Sequence, residues 1–98
     1  MSDQPGKANQ GTTTGSTRPP PVDFSGFVVS MAQAALVHLG EIPDPITGEI
    51  NRDIEQARYS IDLIDMLAEK TKGNLSREEE NLVRSVLVDL KMRYVRAK

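Results

Sequence analysis

Hydrophobic positions fall into three runs, each with helical spacing. In the first, Phe24, Phe27, Val28, Met31, Ala35, Leu36 and Leu39 recur at steps of three and four. Val29, Ala32, Ala34 and Val37 fill most of the remaining circumference. A helix apolar on nearly every side is usually buried on several. Its one break is a narrow stripe, Gly26, Ser30 and Gln33. This is either the solvent face or a small-residue seam where a second helix comes close. Asp23 or Ser25 can cap the start, and Gly40 suits the position just past the end, so the first helix is predicted at 24–39.

In the second run, Ile54, Ala57, Ile61, Ile64 and Ala68 step by 3, 4, 3 and 4, widened by Leu63 and Leu67. This predicts a helix over 51–72, with Asn51 as cap and Asp53 and Glu55 at the positive end of the dipole. Lys70 and Lys72 fall in the last turn, and Gly73 is the stop. Glu55, Asp62, Asp65 and Glu69 mark its wet side. The third run opens on Ser76-Arg77-Glu78-Glu79, a capping box and the most specific local signal in the chain. Leu82, Val83, Val86, Leu87, Leu90, Tyr94 and Val95 then carry a helix over 77–96. Capping and the dipole fully account for the acidic triplet Glu78 to Glu80. No run alternates with period two, so no strand is expected.

Between the first two helices, residues 40–52 form a loop: Pro43 and Pro45 block helix and Thr47-Gly48 signals a turn. Ile42, Ile46 and Ile50 suggest that it packs onto the body. The turn at 73–75 is short enough to make the second and third helices antiparallel neighbours. The expected architecture is all-α: a three-helix antiparallel bundle, or a helical hairpin plus one helix.

Composition divides the chain. Residues 1–22 are rich in Pro, Gly and Thr, end in Pro19-Pro20-Pro21, and hold only Met1, Ala8 and Val22 as apolar residues. Such a segment cannot offset its ordering entropy and is expected to be a disordered arm. The helical domain is 23–98. A unit this small with few aromatics has only a few kcal/mol of net stability. Its first helix has more apolar surface than two partners can cover. Both points predict a homodimer formed by the first helices, through Phe24, Phe27, Val28, Met31, Ala35 and Leu36, or docking of another protein there.

The inventory of reactive groups is short. Among 98 residues there is no Cys and one His, which excludes a disulfide scaffold, a thiolate metal site, a Cys nucleophile and a multi-histidine site. His38 lies in the last turn of the first helix, where capping or an interface role explains it as well as proton transfer does. Asp44, Glu49 and Asp53 surround a turn, but Ile46 and Gly48 stand where a calcium loop needs oxygen ligands. Turn and helix capping is the simpler role for these acids. The expectation is therefore no enzyme, no cofactor and no metal. Net charge is −2, which argues against a surface given over to nucleic acid. One basic run, Lys91, Arg93, Arg96 and Lys98 with Tyr94 among them, could contact phosphate and stack a base, or simply complement the helix C-terminus. Residues 41–69 are mainly acidic and 70–98 mainly basic, so antiparallel packing sets unlike charges side by side. No stretch reaches the roughly 20 apolar residues that a bilayer span needs. A soluble cytoplasmic protein is expected, without membrane association.

Residues 24–95 resemble a bacterial family of short proteins known only as a domain of unknown function, the 1844 group. The likeness rests on Leu39-Gly40, the loop Pro43-Asp44-Pro45-Ile46-Thr47-Gly48-Glu49, and Ala57 with Ile61-Asp62. It continues through Glu69-Lys70-Thr71-Lys72-Gly73-Asn74-Leu75, Glu78-Glu79, and Leu90 with Tyr94-Val95. It implies a short, all-helical protein and brings no catalytic residues with it.

Overall fold

The computed structural model describes Pro19 and residues 21–98. The arm expected at 1–22 lies outside the described residues, apart from Pro19, Pro21 and Val22, which are exposed. The described residues hold three helices and no strand: α1 (Phe24–Leu39), α2 (Ile54–Lys70) and α3 (Arg77–Ala97). Each helix packs against both of the others.

The ends of α1 follow local chemistry. The Asp23 carboxylate accepts from the Gly26 N–H at 2.7 Å. A Cβ at Gly26 would sit 2.8 Å from that same carboxylate oxygen, so glycine there leaves room for the cap. Gly40 turns the chain out of α1 with φ 79°, a left-handed conformation suited to glycine.

α2 begins at Asp53 as cap, two residues later than expected. The Asp53 N–H donates to the His38 carbonyl at 2.8 Å, which holds the entry to α2 extended against the end of α1. Asp53 then accepts from the Gln56 N–H at 3.1 Å. The helix also ends sooner than expected, at Lys70. The Thr71 N–H and hydroxyl both donate to the Leu67 carbonyl, at 3.0 and 2.8 Å, and from Lys72, whose N–H turns back to Glu69, the chain leaves the helix. Ser76 and Glu79 form the capping box as expected, with bonds of 3.1 and 2.8 Å.

The core draws on all three helices. Ala35 and Leu39 of α1, Ala57, Ile61 and Ile64 of α2, and Leu90 of α3 form one buried cluster, edged by Met31, Leu36, Leu87, Tyr94 and Ala97. Val28 and Val83 are buried as well. At one end of the molecule, Arg52, just before α2, donates to the Ala97 carbonyl at 3.1 Å, while Glu41, just after α1, meets Arg93 of α3 at 2.9 Å. At the other end, Ala68 and Lys72 share a pocket with Glu80, Val83 and Arg84.

Candidate interaction surfaces

α1 offers less surface to a partner than its composition suggests. Of the six residues expected at an α1 interface, Val28 and Ala35 are completely buried within the chain. Phe24, Met31 and Leu36 are half-buried, and only Phe27, at 53% exposure, faces outward. Val28 and Ala35 therefore cannot serve as contacts for a second chain. The physical reason is that α2 and α3 both pack against α1 and take up Val28 and Ala35, while Phe27 and Val29 stay exposed.

The stripe Gly26, Ser30 and Gln33 is exposed, so neither α2 nor α3 packs against it. Ser30 folds its hydroxyl back onto the Gly26 carbonyl at 3.0 Å. Beside the stripe, an open cleft of about 520 Å³ runs between α1 and the proline loop. Gln33, Val37, His38, Ile42, Asp44 and Ile46 contribute to its walls. His38 and Asp44 thus share one cleft. The Asp44 carboxylate, however, already accepts from the Ile46 and Thr47 N–H groups at 2.7 and 3.4 Å. It shapes the turn, and Asp53 caps a helix, as the simpler sequence reading held. No group of three metal-ligating side chains forms among the described residues. The loop aliphatics behave differently from expectation: Ile42 is half-buried, but Ile46 and Ile50 are 91% and 58% exposed.

The basic run at the end of α3 is largely engaged within the chain. Lys91 pairs with Asp65 of α2 at 2.9 Å. Arg93 bridges Asp89 at 2.8 Å and Glu41 at 2.9 Å. The hydrogen bond and charge of Asp89, then those of Glu41, hold the Arg93 guanidinium above its ordinary pKa. Tyr94 is half-buried against the core, and the Lys98 ammonium lies 5.5 Å from its ring centre. A ring placed this way is not an open platform for a base. Arg96 is exposed.

The least expected surface is the outer side of α3. Val88, Met92 and Val95 are 56%, 54% and 65% exposed. Their spacing of four and three puts them on one stripe, opposite Val83, Leu90 and Tyr94. The sequence spacing places Val95 on the buried face; it lies outside that face, and Ala97 packs on the core instead. α2 carries a similar outer stripe, with Tyr59 at 59% and Met66 at 47% exposure and half-buried Leu63 between them. The i, i+4, i+7 spacing of Val88, Met92 and Val95 was a signal available in the sequence. It was masked by the stronger stripe on the same helix.

Among the described residues, no helix is long and apolar enough to cross a membrane. No curated protein and no solved structure matches the chain at significant similarity. One family model does match, over residues 21–96, and covers all three helices. The chain therefore belongs to the DUF1844 family, a domain of unknown function.

Proposed function

We propose that this protein is a small, non-catalytic interaction module of the cytoplasm, an antiparallel three-helix bundle that assembles with a second copy of itself. The observation that carries this reading is the row Val88, Met92 and Val95. Three large aliphatic side chains, each more than half exposed, stand together on the side of α3 that the core does not use. Single exposed aliphatics are ordinary, but a contiguous stripe along a helix marks a surface that another molecule covers. A catalytic reading has less behind it. The cleft holding His38 is open, and the carboxylate in it is occupied by backbone donors.

Light scattering on the full chain at micromolar concentration tests the reading. A mass of twice 10.8 kDa is expected. A mass of 10.8 kDa across the micromolar range would remove self-assembly as its function.

A further inference from the structure

The outer faces of α2 and α3 differ in one respect that bears on how two copies meet. On α2, Glu55, Asp62 and Glu69 recur every seven residues and are all exposed. On α3 and the residue that follows it, Arg77, Arg84, Lys91 and Lys98 recur every seven residues and are all exposed. A seven-residue repeat returns to nearly the same side of a helix after two turns, so each set forms a row along its helix. Each row runs beside an apolar stripe: the acidic row beside Tyr59, Leu63 and Met66, and the basic row beside Val88, Met92 and Val95. An apolar seam with flanking charges is how helices recognise other helices, the charges selecting partner and orientation.

We infer that the partner is a second copy of this chain, docked so that α2 of each copy packs against α3 of the other. This rests on the self-assembly reading above and specifies its surface. A two-fold axis running parallel to the helices, between the two copies, produces this exchange. It places each acidic row opposite the partner's basic row. A two-fold axis perpendicular to the helices would instead set α2 on α2 and α3 on α3, acid facing acid and base facing base, which is disfavoured.

The register follows without adjustment. Rotation about an axis parallel to the helices leaves heights along them unchanged, so residues level within one chain are level between chains. Within the chain, Ala68 lines one pocket with Val83 and Arg84, Asp65 reaches Lys91, and Arg52 reaches Ala97, which gives the order in which α2 and α3 run past each other. Glu69 of one copy therefore falls between Arg77 and Arg84 of the other, Asp62 between Arg84 and Lys91, and Glu55 between Lys91 and Lys98. The existing contacts leave Asp62 and Arg84 available: Asp62 has only a 3.8 Å pairing with Arg58, both well exposed, and Arg84 only a 3.3 Å bond to Asn81. Lys91 is already paired with Asp65 at 2.9 Å, with 53% of its side chain exposed, and would share its charge with the partner's acids.

Two charge-reversed variants test this arrangement. One carries Asp62→Lys and Glu69→Lys, and the other carries Arg77→Glu and Arg84→Glu. Every changed position is exposed, and circular dichroism establishes that both variants remain helical. Each alone should dimerise at least about 100-fold more weakly than the wild-type chain, because like charges now face each other. An equal mixture should form a one-to-one heterodimer of near wild-type affinity, since both reversed surfaces then find opposite charge. If the wild type dimerises and both variants do so equally well, the α2–α3 exchange is wrong while self-assembly stands. Weakening of each variant without recovery in the mixture likewise overturns the exchange. A monomeric wild type overturns both.

Discussion

α1 and α3 show how little the average apolarity of a helix says about its exposed surface. α1 is apolar on nearly every side, yet Val28, Ala35 and Leu39 are spent on the core and its back carries Gly26, Ser30 and Gln33. α3 is rich in charge, with five basic and four acidic residues between Arg77 and Ala97, and on one side the charge gives way to an apolar stripe. That stripe, Val88, Met92 and Val95, is left in water, whereas on α1 the large exposed hydrophobics are Phe27 and Val29. Burial follows the phase of the apolar residues around the axis, not their number. An apolar residue opposite the core is exposed however hydrophilic its neighbours are.

The comparison is open to breaking at several points. The largest effect belongs to the inner face of α3. Leu90→Ala removes a side chain that is 2% exposed and should cost about 2–5 kcal/mol in denaturant unfolding, whereas Val88→Ala two residues earlier should cost under about 0.5 kcal/mol below the dimerisation range. Similar losses at the two positions would erase the distinction between the faces. Next, Val88→Asp with Met92→Asp should weaken the dimer about 100-fold without loss of helix content, read by light scattering beside circular dichroism. The matching change on α1, Phe27→Asp, should leave the dimer intact.

Smaller effects come from the helix ends. Ser76→Ala opens the capping box and should lower stability by about 1 kcal/mol. Gly40→Ala places a side chain at φ 79° and should cost a similar amount, about 1 kcal/mol. The smallest effect is expected for Arg93→Met. Its ion pairs with Asp89 and Glu41 are partly solvated, so about 0.5 kcal/mol should be lost, less at high salt.

Much of the fold was legible in the residues themselves. The bounds of α1, the capping box of α3 and most of the core follow from spacing and cap chemistry, which act over a few residues. The start of α2 did not follow, because Asn51 and Asp53 are equally good caps. The choice between them is made by a bond from Asp53 to His38, fifteen residues upstream in another element. The end of α2 was off by two residues, because the chain passes through a turn from Thr71 before it reaches Gly73. The proposed interaction surface was the least legible part. Composition pointed to α1, but whether an apolar helix is already covered depends on how the other two helices pack against it. The basic run at 91–98 was visible as charge. Its engagement with Asp65, Asp89 and Glu41 depends on packing between helices and could not be read from spacing alone.

The central claim, that α2 of one copy lies on α3 of the other, is tested most directly by cross-linking, because the chain contains no native cysteine. Asp62→Cys and Arg84→Cys chains are prepared separately, mixed in equal amounts and treated with a short thiol-reactive cross-linker. The exchange predicts that the dominant covalent dimer contains one chain of each kind, with little product from either variant alone. Efficient linking of two Asp62→Cys chains, or of two Arg84→Cys chains, would contradict it.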